Sequence, residues 1–206
     1  MAKTTLARDA QLIYEIGCLR LMARQWSRFQ APGFANNSEH IFRVSWISLI
    51  IAKHEGGVDE AKLLKMALVH DLPESRTGDV DYVSRAYATR NEPEAIADMM
   101  RGTVLESELV DLWLECEKKE TLEAKIVKDA DYIDVDAELA EQRARGHHEL
   151  FELLQPVREF VGSKLKTTTG RQLWEAVRAE KPLDWIINSK TGLSAGDFTH
   201  PRRTQP

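Results

Sequence analysis

Apolar residues recur along most of this chain at helical rather than alternating spacing. Leu12, Ile13, Ile16, Leu19 and Met22 step by one, three, three and three residues, which predicts a first helix over residues 6–22. Pro32, Gly33 and the pair Asn36-Asn37 then punctuate the chain, so residues 26–37 read as a loop, with Ser38 available to cap the next helix. Residues 39–54 carry Phe42, Trp46, Ile47, Leu49, Ile50 and Ile51 around so much of a helical surface that the segment is expected to be largely buried. Gly56-Gly57 stops it. A further helix restarts near Asp59, runs through Leu64, Met66, Ala67 and Leu68, and meets Pro73 just after His70-Asp71, which places that dipeptide at a helix end.

The loop containing Thr77-Gly78-Asp79 is followed by predicted helices over 93–101, 107–117, 121–145, 147–165 and 172–177, the last two divided by residues 166–170. Only residues 80–83 alternate even briefly, and no Asn-Gly or Asp-Gly turn separates two β-like runs. The expected class is all-α. Residues 188–206 are rich in turn formers and are expected to fray.

Composition narrows the function classes. The 206 residues are 43% hydrophobic and 30% charged, enough to bury a core and too apolar for a disordered chain. The net charge of −5 argues against general nucleic-acid binding. The longest apolar stretch, residues 44–52, is far shorter than the roughly 20 residues of a membrane span, and the N-terminus has no secretory pattern, so a cytoplasmic address and no membrane partner are expected. Cys18 and Cys116 are too few and too distant for a disulfide framework or a paired-cysteine zinc site, and are expected to be buried free thiols.

The chemistry concentrates on histidines and acids inside apolar segments. His40 at the start of one helix, His70-Asp71 at the end of another and a carboxylate from a third could supply mixed nitrogen and oxygen ligands to a transition metal or zinc. Residue types alone leave His70 equally readable as a helix C-terminal cap. On the later helix, Ile126, Ala130, Ile133, Ala137 and Ala140 define the buried stripe and exclude both Asp129 and Asp131 from its centre, so periodicity does not choose between these two aspartates. His54, His147, His148 and His200 read as structural or solvated, the charged run 138–145 as a solvated face, and Trp174 and Trp185 as packing residues.

Four motifs taken together resemble the HD-domain metal-dependent phosphohydrolases, and within them the 5'-deoxynucleotidase branch: Ser38-Glu39-His40, then 67–74 reading ALVHDLPE, then Thr77-Gly78-Asp79, then 127–131 reading VKDAD. The match covers about residues 12–145 in order and spacing. The resemblance implies a helical bundle over residues 1–165 with a C-terminal helical extension and tail over 166–206, and a likeness to homodimers. It implies that His40, His70, Asp71 and Asp131 hold one divalent ion (Mn, Co, Zn, Mg or Fe), with the family's Val-Lys-x-x-Asp pattern selecting Asp131 and leaving Asp129 as a solvent-facing carboxylate. Glu74 resembles the family's general acid or base and Asp79 its companion, while Asp134, one turn on, is a candidate partner behind the ligands. Arg24 and Trp26 resemble the family's phosphate- and sugar-binding pair, although the spacing Arg-Gln-Trp-Ser-Arg leaves Arg28 competing with Arg24. Arg43 reads first as a helix-surface residue.

The implied activity is hydrolysis of deoxyribonucleoside 5'-monophosphates, a small-molecule substrate. A triphosphohydrolase acting on deoxynucleoside triphosphates is the alternative within the same fold. A non-catalytic nucleotide sensor is the alternative outside enzymes, and against it stand acidic residues that repel phosphate unless a cation is bound.

Overall fold

The computed structural model describes residues 5–25, 33–81 and 83–187. Among these residues the chain is helical throughout, and the single β-feature is an isolated antiparallel bridge between Ala23 and Asn36. None of the described helices is long and apolar enough to cross a membrane.

Helix α1 spans Thr5–Gly17 and gives way at Gly17 to a 3-10 turn, Cys18–Leu21, so the expected first helix is broken near its last turn. Its Leu12 and the turn's Leu19 are buried, whereas Ile13 is exposed. Helix α2 spans Asn37–Glu55. Its cap is Asn36 rather than Ser38: the Asn36 side chain accepts from Glu39 N, and the Glu39 carboxylate accepts from Asn36 N, a reciprocal capping box that satisfies two donors at the helix start. Gly56 ends it at φ 72°, in the left-handed region open to glycine. Helix α3 is Glu60–Val69, capped by Asp59 as expected.

The single turn α4, Glu74–Thr77, follows His70-Asp71 directly. Helices α5 (Glu92–Met100) and α6 (Glu106–Lys118) lead to α7, Leu122–Ala144, the longest element, whose N-terminus is capped by Thr121. Then come α8 (His148–Gly162), α9 (Thr168–Ala179) and α10 (Asp184–Ile187).

Helices α2 and α7 pack most extensively against each other, with α3 and α9 on the same assembly. Their shared core contains Val44, Ile51, Leu63, Met66, Ile126, Ala130 and Ile133, and extends to Leu165 and Trp174 beyond the motifs. Burying all that apolar surface is what fixes α2, α3 and α7 side by side, and the three candidate ligand segments ride on them.

Several local expectations change. α2 is buried on one side only: Phe42, Trp46 and Ile50 lie on its exposed side. Trp174 is buried as a packing residue, but Trp185 is exposed. Cys116 is buried and Cys18 exposed, both free thiols. Within the charged run 138–145, Glu138 and Gln142 are buried, because Glu138 accepts from Ala35 N and Arg43 while Gln142 donates to the Gly33 carbonyl. The polar groups of the segment before α2, not solvent, cover this part of α7.

Candidate active site

The site forms where the first turn of α2, the end of α3 and the middle of α7 meet. His40 is completely buried on α2. Its Nδ1 donates to Asp134 Oδ2 at 2.5 Å, which turns Nε2 the other way, to within 3.3 Å of Asp71 Oδ2 and 3.4 Å of Asp131 Oδ1. His70, the C-terminal cap of α3, donates from Nδ1 to the Ala67 carbonyl at 2.7 Å, and its Nε2 lies 3.5 Å from Asp71 Oδ2. The two imidazole centroids are 5.4 Å apart. The structure therefore brings His40, His70, Asp71 and Asp131 to one point, and ligand atoms of His40, His70 and Asp131 all fall within 4.8 Å of one another.

Both outward nitrogens, His40 Nε2 and His70 Nε2, are buried without a hydrogen-bond partner. An unpaired buried nitrogen is costly, and two of them facing two carboxylates is the donor set of a divalent cation site. The residues present fit a divalent metal. Each imidazole is also oriented from behind, by Asp134 or by the Ala67 carbonyl, as metal-binding histidines usually are.

Asp129 takes no part. It is fully buried on another side of α7, accepting from Lys166 N, Thr167 N and Thr167 Oγ1, each at 2.8 Å. The expectation of a solvent-facing carboxylate is corrected accordingly: Asp129 ties the start of α9 to α7. Asp131 Oδ2 instead accepts from Lys128 at 2.7 Å, one turn earlier on the same helix.

Glu74 and Asp79 join the same pocket. Glu74 Oε2 accepts from Asn37 Nδ2 at 2.6 Å, and Oε1 accepts from Arg90 at 3.0 Å. Burial, then the repulsion of Asp71 and Asp79, pushes the Glu74 carboxyl up to about 9 against the pull of Arg24 and Arg90. Asp79 Oδ2 accepts from Gln25 N at 2.8 Å and faces Arg24 Nη1 at 3.4 Å. Arg24 is buried and reaches Asp71 Oδ2 at 3.2 Å, so it lies in the site. Trp26 and Arg28 lie outside the described residues.

Burial and Arg24 oppose charge on His40, yet the surrounding carboxylates of Asp131, Asp134 and Asp71 hold it well above the ordinary histidine value. Burial disfavours ionised Asp71 and Asp131, but His70 and His40 around the first and Lys128 and His40 around the second hold both below the carboxylate range. Arg43 faces away from the cluster and pairs with Asp134, Glu138 and Glu141, so it acts behind Asp134.

Sequence reasoning missed Asn37, Arg90, Lys128 and Trp113, whose indole donates to the His70 carbonyl at 3.1 Å. Lys128 alone left a signal, three residues before an acid on a helix. Asn37 reads in sequence as one of two turn-forming asparagines.

The HD domain family model matches residues 16–169, and the chain belongs to that family. It is similar to the 5'-deoxynucleotidase HDDC2 of Danio rerio, 35% identical over 103 residues that make up 48% of this chain and 50% of the relative. It is also similar to the 5'-deoxynucleotidase HDDC2 of Dictyostelium discoideum, 32% identical over 121 residues, 53% of this chain and 64% of the relative. The chain thus spans about half to two thirds of the length of the relatives it matches. Among solved structures, a conserved hypothetical protein from Pyrococcus furiosus aligns at a TM-score of 0.68 with 29% identity, over 83% of this chain and 99% of the other.

Proposed function

We propose that this protein is a divalent-metal-dependent 5'-deoxynucleotidase, converting a deoxyribonucleoside 5'-monophosphate and water to a deoxynucleoside and inorganic phosphate. The observation that carries the reading is the pair of buried, unpartnered nitrogens on His40 and His70 facing Asp71 and Asp131. Relatives named 5'-deoxynucleotidases support the substrate class. A divalent ion, when bound, supplies Lewis acidity toward the phosphoryl group and lowers the pKa of water.

The remaining chemistry belongs to the chain. Arg24, permanently charged between Asp71 and Asp79, is the cation that meets the phosphate dianion in a pocket whose carboxylates would otherwise repel it. Glu74, held on one oxygen by Asn37 and on the other by Arg90, takes in its ionised form the proton of the attacking water and returns it to the departing 5' oxygen. Asp79 keeps Arg24 in place and fixes Gln25 N next to it. The reading also includes cytoplasmic location, a homodimeric state and no stable nucleic-acid partner.

The test is product analysis on metal-stripped protein given Mn, Co, Mg or Zn in turn, with deoxynucleoside monophosphates, ribonucleoside monophosphates and deoxynucleoside triphosphates as substrates. Inorganic phosphate from deoxynucleoside monophosphates, only with metal, is the expected result. Tripolyphosphate from the triphosphates would replace the substrate while keeping the site.

A further inference from the structure

Lys128 is the cation beside the ligand cluster to which hydrolysis has so far given no task. It stands one turn before Asp131 on α7, and its ammonium donates to Asp131 Oδ2 at 2.7 Å, while Oδ1 is the oxygen that faces His40 Nε2. The same nitrogen lies 4.4 Å from the centroid of the Tyr132 ring, so carboxylate and ring together fix its position. Side-chain exposure rises outward through the cluster: His40 is fully buried, Asp71 and Asp131 are 20% and 19% exposed, and Lys128 is 26% exposed. Arg24, on the side of Asp71 and Asp79, is only 9% exposed. Two cations therefore flank the ligand carboxylates, a deep guanidinium at Asp71 and an ammonium nearer solvent at Asp131.

The position of this ammonium works against metal binding. A positive charge on a ligand carboxylate competes with any cation for that carboxylate and repels the cation as well. Helix stability does not call for it, since a pair three residues apart on a helix surface adds little. A phosphate dianion reverses the balance, because it brings negative charge to both cations at once. The ammonium is equipped to meet it. Lysine carries three donors; Asp131 takes one and the Tyr132 ring faces the nitrogen, and among the described residues no other acceptor receives a hydrogen bond from it.

We infer that Lys128 is a second phosphate-binding residue, donating to an oxygen of the substrate's phosphate from the open side of the site while Arg24 donates from the inner side. The assignment rests on the phosphohydrolase reading and deepens it. It gives Lys128 a part in holding substrate and none in proton transfer, and it fixes a sign: removing the ammonium weakens the hold on phosphate without weakening the hold on the divalent ion.

Three measurements on the full chain test it together: calorimetric titration of inorganic phosphate into manganese-loaded protein, titration of manganese into metal-stripped protein, and steady-state kinetics with a deoxynucleoside monophosphate. Lys128→Met keeps the aliphatic stem and removes the charge. It is expected to weaken phosphate binding about ten- to a hundredfold, the range of one lost charge-assisted hydrogen bond. KM is expected to rise by a similar factor with kcat changed by no more than about threefold, while manganese binds at least as tightly as in the wild type. Lys128→Arg is expected to bring phosphate affinity back to within about threefold of the wild type, since a guanidinium also donates to phosphate. Lys128→Gln carries the test if Lys128→Met does not fold. A residue that only supports Asp131 would give the opposite pattern, weaker manganese binding with phosphate affinity and KM unchanged, and that result overturns the inference. A wild type that binds no phosphate overturns it too. Failure of the hydrolase reading looks different: phosphate binds and Lys128→Met still weakens it, but no phosphate is released from deoxynucleoside monophosphates, which leaves Lys128 an anion-binding residue of a site with another substrate.

Discussion

Asp134 holds His40 from behind: Oδ2 accepts from Nδ1 at 2.5 Å, and Arg43 donates to its other oxygen. Fixing the proton on Nδ1 is what leaves Nε2 free to face Asp71 and Asp131. Asp134→Asn is therefore expected to lower the affinity for a divalent cation by about ten- to a hundredfold while the helical fold persists. Isothermal titration of metal-stripped protein measures it. Unchanged affinity would separate Asp134 from the site.

The same neighbourhood couples metal uptake to pH. In metal-free protein, burial and Arg24 work against a charged His40, but Asp131, Asp134 and Asp71 outweigh them and raise its pKa well above the usual value. At neutral pH the ring then carries a proton that a cation must displace. Affinity for the cation is expected to rise with pH, with protons released on binding. Titrations in buffers of different ionisation heat count those protons, and a heat independent of buffer would refute the coupling.

Glu74 leads to two separate expectations. Glu74→Gln is expected to lower turnover about 10²- to 10⁴-fold with metal affinity retained. Asn37→Ala, which releases only one of its oxygens, is expected to cost less. For stability the sign is set by the direction of the shift. The folded pKa of about 9 lies above the ordinary 4.5, so the unfolded chain ionises first and Glu74 opposes folding progressively as pH rises from 4.5 towards 9. In metal-free protein, Glu74→Gln is expected to gain melting temperature relative to the wild type across that window. A constant difference would contradict the shift.

Asp129 and Asp131, two residues apart, are expected to fail in opposite ways. Asp129→Ala strips the acceptor from two backbone amides and the Thr167 hydroxyl, and is expected to cost about 2–4 kcal/mol of stability with metal binding intact. Asp131→Ala is expected to remove the metal with little loss of stability. Denaturant titration beside metal titration reads both.

Thiol chemistry distinguishes the cysteines. Burial, then Glu117, pushes Cys116 up to about 12, whereas Cys18 is exposed. One thiol per chain is expected to react with a disulfide reagent in native protein and two in denaturant. Two reactive thiols in native protein would contradict the burial of Cys116.

Helix content was legible in the sequence because it repeats in short, local patterns, whereas the candidate set His40, His70, Asp71 and Asp131 was legible only through the resemblance of four short motifs to a known family. The Asp59 cap, the Gly56 stop and the position of His70 at a helix end depend on residues adjacent in the chain. What was not legible depends on contacts across the chain. Phe42, Trp46 and Ile50 are apolar in sequence, and only the packing of α2 against α7 decides which side of the helix is covered. Asp129 reads as solvent-facing in sequence because its partners, Lys166 and Thr167, lie 37 and 38 residues away. Asn37 and Arg90 reach Glu74 over 37 and 16 residues, spacings that no local motif encodes.

The central claim is that His40, His70, Asp71 and Asp131 hold the cation on which hydrolysis depends. The most direct measurement compares wild type and His70→Ala, both metal-stripped and then reloaded, for bound divalent ion per chain and for phosphate released from deoxynucleoside monophosphates. The expected result is one ion per wild-type chain with phosphate release, and neither in His70→Ala, with identical circular dichroism. A His70→Ala protein that releases phosphate at the wild-type rate would contradict it.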